Sequence, residues 1–266
     1  MVPLGPRLRG PSSHGAGGYR GAVHRPSGAS GDGVVVGRVA EVWRYPVKSV
    51  GGERLTRGWC ERRGLEGDRR WAVVGADGKI GSGKTTRRFR RMPGLLALRA
   101  CTDDGGGVWV ELPDGRRGQV TDPVTAAWLH SVTGEPVTLC EESATSHLDD
   151  APVHLVTTGA LDGLGALDLA GPLADGRRFR PNLLVQADAA LDPPCRLQVG
   201  TGAVLAVTAP TVRCVMTTMA QPGLAFAPGI LRRLEQYRKG CFGVYAAVER
   251  EGAVAVGDPV TVLDRA

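Results

Sequence analysis

The chain has 266 residues, of which 42% are hydrophobic and 23% charged, and its net charge is +6. This composition is typical of a soluble globular protein with one large or two modest domains. Aromatic residues make up only 5% of the chain, which argues against a base-stacking surface for single-stranded nucleic acid, and no apolar run is long enough to cross a bilayer.

Half of the net charge lies in residues 1–33, where four arginines stand against a single aspartate. The rest of the chain is close to neutral for its size, which favours a local anion site over a nucleic-acid-binding face. The same segment is rich in Gly, Ser, Pro and Arg and holds few large apolar side chains. We therefore predict a disordered N-terminal extension, since the amphipathic pattern of a transit peptide is missing.

The next part of the chain is typical of short strands that are separated by Asp-Gly turns. A helix is predicted at 122–133, with Asp122 as its cap, Pro123 in its first turn and Gly134 at its end. The predicted strands are 34–43, 55–60, 70–74, 95–101 and 108–112. We assign 34–145 to a first, β-barrel-like domain.

A second domain, 146–266, is predicted to contain strands at 153–157, 183–185, 204–207, 244–248 and 260–263, with helices at 158–169 and 228–237. The 39 glycines and 18 prolines favour turns and short elements over a helical bundle. The predicted fold class is mainly β with some α.

Residues 78–85, with the sequence GKIGSGKT, match the phosphate-loop pattern G-x-x-x-x-G-K-[ST] in every letter. A nucleotide-binding loop must lead into a helix with an apolar stripe. The segment that follows, TRRFRRMP, is short and cationic and ends in proline. We therefore reject an NTPase, although Ser82, Lys84 and Thr85 remain available as donors to an anion.

The six cysteines are widely spaced and include no C-x-x-C pair and no Cys–His cluster with zinc-finger spacing. This usage is typical of a reducing compartment, and we predict a cytoplasmic protein. Cys214 differs from the others because Arg213 precedes it, and a guanidinium favours the thiolate, a soft ligand and a strong nucleophile.

Four segments resemble signature stretches of the MOSC family, proteins related to the C-terminal domain of molybdenum cofactor sulfurase. In chain order they are YPVKS at 45–49, GLEGDRRW at 64–71, FRPN at 179–182 and RCVMTT at 213–218. The resemblance covers about 34–263 and is closest to the amidoxime-reducing-component-like branch. It implies an N-terminal MOSC-type β-barrel domain and a MOSC domain, with a molybdenum-molybdopterin cofactor between them.

The resemblance also implies the residues of the site. Cys214 matches the cysteine that binds molybdenum in amidoxime-reducing members, and it is therefore the expected catalytic residue and metal ligand. The phosphate end of the pterin needs cations and hydrogen-bond donors. The residues implied to bind the cofactor are Lys48, Ser49, Lys84, Arg180, Asn182, Arg213 and Thr217.

Several of these residues have ordinary structural alternatives. Arg180 could form a stabilising ion pair, and Asn182 could cap a turn. The charged pair Asp68–Arg69 is more typical of a braced turn than of chemistry. His154 lies within an apolar strand and is more typical of a core residue than of a base.

The activity that the resemblance implies is removal of oxygen from a small N-hydroxylated (N–O) substrate at a Cys-ligated molybdenum. The chain has no ferredoxin-type cysteine motif, so a separate donor protein of the ferredoxin, flavoprotein or cytochrome type would supply electrons. One departure is Gly83-Lys84, where amidoxime-reducing members often carry Ala-Arg. The alternative is a cofactor or sulfur carrier with a persulfide on Cys214 and no reductase turnover.

Overall fold

The computed structural model describes residues 33–167, 169 and 174–265. Apart from Gly33, the predicted N-terminal extension lies outside the described residues, and so does Asp168 in the predicted helix 158–169. Strands make up 42% of the structure and helices 19%, which confirms the mainly β fold class. No helix in these ranges combines the length and the apolar character that a membrane span needs.

The described residues up to 141 form eleven strands and one α-helix. They are β1 (Val34–Arg44), β2 (Glu53–Leu55), β3 (Arg57–Glu61), β4 (Gly64–Leu65), β5 (Trp71–Gly75), β6 (Ile80–Ser82), β7 (Phe89–Arg91), β8 (Arg99–Thr102), β9 (Val108–Glu111), β10 (Arg117–Gln119), α1 (Pro123–Thr133) and β11 (Val137–Glu141).

The described residues after 152 add seven strands and two α-helices. They are β12 (Val153–Thr157), α2 (Thr158–Asp162), β13 (Leu183–Gln186), β14 (Cys195–Val199), β15 (Ala203–Val212), α3 (Gly229–Arg238), β16 (Cys241–Arg250), β17 (Gly252–Ala255) and β18 (Pro259–Arg265). Short 3-10 turns occur at Pro93–Ala97, Gly165–Leu167, Gly176–Phe179 and Val215–Thr218.

Seven strands close into a barrel, in the order β13, β12, β16, β15, β14, β18 and β1, with β1 pairing back to β13. β1 is antiparallel to both of its barrel neighbours, and its register shifts once along each of them, at Val35/Gly37 and at Val39/Glu41. Such bulges bend a strand and permit closure. The first strand of the chain is therefore hydrogen-bonded among strands of the second half.

Three smaller sheets complete the fold, in the strand orders β10-β9-β8, β11-β5-β6-β7 and β17-β3-β4. β17 comes from the second half of the chain and pairs with β3 from the first. The largest apolar cluster fills the barrel, and a second one lies beneath the sheets of the first half around Val73, Leu95 and Leu129. Each half of the chain thus contributes a strand to a sheet formed mainly by the other half.

The predicted elements that differ from the structure lie next to Pro and Gly. The predicted strand 55–60 is split into β2 and β3, and the predicted strand 95–101 begins instead as the 3-10 turn that Pro93 opens. The predicted helix 158–169 stops at Asp162, and Gly163 follows it, since glycine lowers helix propensity. Within the phosphate-loop match, β6 occupies Ile80–Ser82 and the next element is the strand β7, which agrees with the rejection of an NTPase.

Helix α1 has the predicted ends, since the Asp122 carboxylate accepts a hydrogen bond from the Val124 amide at 2.8 Å and Gly134 ends the helix with a φ of 77°. We expect Asp122→Ala to lower the free energy of unfolding by about 1 kcal/mol, because an amide at the helix start loses its acceptor. Chemical denaturation measures this loss. Thr121→Ala, at the exposed neighbouring position, is the control and should change little. Equal stability of the two variants would contradict the cap.

Candidate functional site

A polar pocket lies where the turn after β1 meets the end of β15 and the segment before β13. Seven of the eight predicted site residues line it, namely Lys48, Ser49, Lys84, Arg180, Asn182, Arg213 and Cys214. The remaining lining residues are Arg69, Ser82, Leu148, Asp149, Asp150, Ala151, His154, Phe179, Val212, Met216 and Tyr245. Five of the eighteen carry a positive charge and two a negative one, so the pocket suits an anion.

Cys214 lies at the end of β15 and begins the 3-10 turn Val215–Thr218. Its carbonyl accepts hydrogen bonds from the Thr217 amide at 3.2 Å and from the Thr217 hydroxyl at 3.0 Å. Thr217 is fully buried and does not line the pocket. The structure therefore does not bring Thr217 to a bound ligand; its hydroxyl stabilises the turn that presents Cys214.

Arg180 ends the 3-10 turn Gly176–Phe179 in a left-handed backbone conformation, with a φ of 53°. Its side chain is buried, and Nη1 and Nη2 have no hydrogen-bond partner among the described residues. Burial, together with the charge of Arg69, lowers the pKa of Arg180 to about 10, so the group is still cationic at neutral pH. No carboxylate pairs with it in the described part of the chain. Buried donors without partners are rare, and these two can bind an external anion.

Arg213 donates from Nη2 to the Phe179 carbonyl at 2.8 Å, while its Nε has no partner in the described ranges. Its Nη1 lies 3.5 Å from His154 Nε2. A guanidinium can only donate, so His154 Nε2 must accept, and the ring proton then lies on Nδ1, 3.4 Å from the Arg180 carbonyl. Burial and the Arg213 charge hold the pKa of His154 well below its ordinary value. His154 is thus a buried residue, as expected, but one that links two arginines of the pocket.

Lys48 and Ser49 occupy the turn after β1, where Ser49 has a φ of 63°. Lys48 is buried, and its Nζ lies 2.9 Å from the carboxylate of Asp149, whose side chain is about half exposed at 51%. Burial lowers the pKa of Lys48. Burial opposes ionisation of Asp149, but Lys48, through its charge and hydrogen bond, together with Arg69 and Lys84 lowers the pKa of Asp149. One cation of the pocket therefore already has an acidic partner.

Lys84 is held at the rim by its neighbours. Its Nζ lies 5.2 Å from the centroid of the Phe89 ring, as does that of Lys48. The Gly83 amide donates to Met216 Sδ at 3.0 Å, and a Cβ at this position would overlap the sulfur atoms of Met216 and Met219. The packing of the two methionines thus accounts for glycine before Lys84 in this chain.

The side chain of Asn182 is engaged within the fold. Its Nδ2 donates to the Trp43 carbonyl at 3.3 Å, and its Oδ1 accepts from the His154 amide at 3.1 Å. These contacts join β1 to β12 behind the pocket. In this structure Asn182 is closer to the structural alternative than to a ligand contact.

Sequence reasoning missed Arg69 as a pocket residue. Asp68 braces the turn as expected, because it is fully buried, forms an ion pair with Arg69 and accepts a hydrogen bond from the Tyr45 amide at 2.8 Å. Arg69 nevertheless lines the pocket. Burial opposes its charge, but Asp68 together with Asp149 and Tyr45 raises the pKa of Arg69. The position of Arg69 within the GLEGDRRW stretch was the available signal.

Sequence reasoning also assigned no role to Asp149, Asp150 or Tyr245. Asp149 and Asp150 lie in an irregular segment just before β12, where periodicity carries no information. Burial raises the pKa of Tyr245 to about 12, so its phenol keeps its proton at neutral pH. For Asp149 and Asp150, the only signal in the sequence was that two acidic residues stand side by side shortly before Pro152.

The donor set limits how a metal could be held. The described residues include no group of three or more His, Cys, Asp or Glu placed to bind a metal ion. Cys214 is the one cysteine that lines the pocket. A metal at Cys214 must therefore bring its other ligands with it, as a metal in an organic cofactor does.

Two family models match the chain. The MOSC N-terminal beta barrel domain matches residues 36–152, and the MOSC domain matches residues 135–261. Among curated proteins, the chain is 24% identical over 289 residues to mitochondrial amidoxime-reducing component 1 of Mus musculus, with 86% of this chain and 83% of that protein covered.

Among solved structures, the YUAD protein of Bacillus subtilis is similar at a TM-score of 0.43 and 14% identity, over 85% of this chain and 94% of that one. YiiM of Geobacillus stearothermophilus is similar at a TM-score of 0.33 and 17% identity, over 44% and 56% of the two chains.

The segment that carries Asp149 is anchored by Glu142, which accepts from Arg63 Nε at 2.6 Å and from the His147 amide at 2.7 Å. Although burial opposes ionisation, these contacts lower the pKa of Glu142 from 4.5 to about 2. Because the folded pKa lies below the unfolded one, the ionised carboxylate stabilises the fold above pH 4.5, and this contribution is lost as the pH falls towards 2.

We therefore expect Glu142→Gln to be less stable than the native chain at neutral pH, and the difference to shrink on acidification through this window. Urea denaturation at a series of pH values measures it. Glu141→Gln, on the exposed neighbour, is the matched control. A stability difference that stays constant down to pH 2 would contradict the anchoring role.

Proposed function

Because the chain belongs to the MOSC family, with a MOSC N-terminal β-barrel domain followed by a MOSC domain, we propose that it is a molybdenum-cofactor-dependent oxidoreductase that reduces N-hydroxylated substrates. The observation that carries the proposal is a single pocket that combines the thiol of Cys214 with buried guanidinium donors on Arg180 that have no partner among the described residues. The likeness to a protein named as an amidoxime-reducing component favours an N–O substrate.

The residues fit a molybdopterin chemically. Arg180 offers a planar fork for the phosphate, while Lys48 and Lys84 act as point charges and Ser49 offers a hydroxyl. Cys214 would supply the soft protein ligand to the metal, and the pterin dithiolene would supply others, which matches the scarcity of ligands in the described part of the pocket.

When bound, the cofactor supplies the two-electron chemistry that cleaves the N–O bond, with two protons consumed and water released. Cys214 would hold the metal, and Arg213 beside it lines the pocket, with an Nε that has no partner in the described residues. The Tyr245 phenol keeps its proton, so its hydroxyl can donate a hydrogen bond to a bound group. A separate donor protein of the ferredoxin, flavoprotein or cytochrome type returns the electrons.

A carrier of cofactor or of sulfane sulfur is the second candidate. The observation in its favour is that Cys214 is partly exposed at the pocket, where a persulfide could form and be passed on. Metal content separates the two candidates. A reductase retains molybdenum through its catalytic cycle, whereas a sulfur carrier holds sulfane sulfur on Cys214 without a metal.

We expect Cys214→Ser to abolish reduction of an aromatic amidoxime without unfolding the chain, because the metal loses its thiolate ligand and the site is partly exposed. The proteins are produced in a host that makes the molybdenum cofactor, and molybdenum, pterin, reductase turnover and melting temperature are measured. Cys241→Ser is the matched control, since Cys241 is also partly exposed but lies outside this pocket.

Full turnover in Cys214→Ser would contradict the assignment of Cys214. If the wild-type protein carries sulfane sulfur on Cys214, contains no molybdenum and shows no turnover, the carrier function replaces the reductase function as the assignment.

A further inference from the structure

The side chain of Tyr45 lies against two arginines of the pocket. Its ring centroid is 4.9 Å from the guanidinium carbon of Arg69 and 4.2 Å from that of Arg180. The ring is buried, and its hydroxyl has no hydrogen-bond partner among the described residues. Nothing in the proposed function uses this side chain, so the buried ring needs an explanation of its own.

The backbone fixes the three residues to one another. Tyr45 donates its amide hydrogen to Asp68, and the Arg69 amide donates to the Tyr45 carbonyl at 2.7 Å. Arg69 and Arg180 have φ values of 52° and 53°, in the left-handed region that side chains other than glycine rarely adopt. Arg69 Nη2 also lies 3.4 Å from the Arg180 carbonyl. Two unusual backbone conformations thus bring two guanidinium groups to one ring.

The ring does for Arg180 what a carboxylate could not, whereas Arg69 is also paired with the Asp68 carboxylate. A carboxylate that pairs with arginine consumes its N–H donors, as Glu142 does when it accepts from both Nε and Nη2 of Arg63. An aromatic face attracts the cation electrostatically without accepting a strong hydrogen bond. Nη1 and Nη2 of Arg180 accordingly have no partner in the described part of the chain.

We propose that Tyr45 is a positioning residue of the anion site. Its ring keeps Arg69 and Arg180 close together in spite of their mutual repulsion, and it leaves the Arg180 donors free for a doubly charged oxyanion. The inference rests on the proposed function only in that the pocket takes an anionic group. It adds Tyr45 to the anion site as a residue whose ring is essential for anion binding and whose hydroxyl does not contribute to it.

The test measures sulfate binding to the cofactor-free full chain by calorimetry, because sulfate carries two charges and presents the oxygen acceptors of a phosphate. We expect Tyr45→Leu to weaken the Kd about tenfold, since two desolvated cation–π contacts are lost. Tyr45→Phe should stay within about twofold of wild type and melt at a higher temperature, because it removes only an unpartnered hydroxyl. Trp43→Leu is the control, since the Trp43 ring stacks on Tyr45 at 6.3 Å and makes no cation–π contact with either arginine in the described part of the chain.

Fluorinated phenylalanines at position 45 keep the shape of the ring and weaken its negative face step by step. Sulfate affinity should fall with each added fluorine while the melting temperature changes little, which a merely structural ring would not produce. These variants decide the question even if Tyr45→Leu does not fold.

Several results would overturn the proposal. One is a sulfate affinity that does not change in Tyr45→Leu, and another is a sulfate affinity that does not change along the fluorine series. A third is a loss of sulfate affinity in Tyr45→Phe as large as that in Tyr45→Leu. A wild-type chain that does not bind sulfate overturns the anion site and this proposal together. Bound molybdenum and reductase turnover in the wild type report on the proposed function separately, so the two failures can be told apart.

Discussion

The positive charge of Arg180, buried without a carboxylate partner in the described residues, is the constraint on which the pocket depends. A buried charge without an ionic partner is costly, so folding tolerates it only where the surroundings are built to hold it. Here a left-handed backbone fixes the position of Arg180, and the Tyr45 ring offsets part of the cost. Under the proposed function, a bound anion offsets the cost that remains.

The closed barrel determines where that charge lies. β1 passes between β13 and β18 and then continues directly into the turn that holds Tyr45, Lys48 and Ser49. Arg180 lies just before β13, which pairs with β1, so closing the barrel brings the two segments together. Asn182 makes this junction specific by bonding to both β1 and β12. The segments around Lys48 and Arg180, 132 residues apart in the chain, become neighbours through one strand pairing.

Much of this arrangement was predictable from the sequence. Short apolar stretches between turn signals located β1, β5, β9 and β12, and the Asp122 cap located α1, because these signals are local. The site residues came from the resemblance of four segments to family signatures, and seven of the eight line one pocket. The exchange of β1 and β17 between the halves was not predictable, since strand pairing over such distances leaves no local pattern.

The roles that sequence reasoning missed have a shared physical cause. Asp68–Arg69 suggests a structural ion pair, and His154 suggests a core residue, and both expectations describe the burial correctly. The sequence could not indicate that Arg69 also lines the pocket, or that His154 lies between the Arg180 carbonyl and Arg213. A residue can satisfy the fold and the site at once, and only the three-dimensional contacts reveal the second role.

The cations of the pocket differ in how available they are. Lys48 is paired with Asp149, whereas the Arg180 donors have no partner in the described part of the chain. An incoming oxyanion meets no competitor at Arg180, but at Lys48 it must share the ammonium with a carboxylate of its own sign. Under the proposed function, Arg180 is therefore the contact most available to the anion, whereas Lys48 is shared with Asp149.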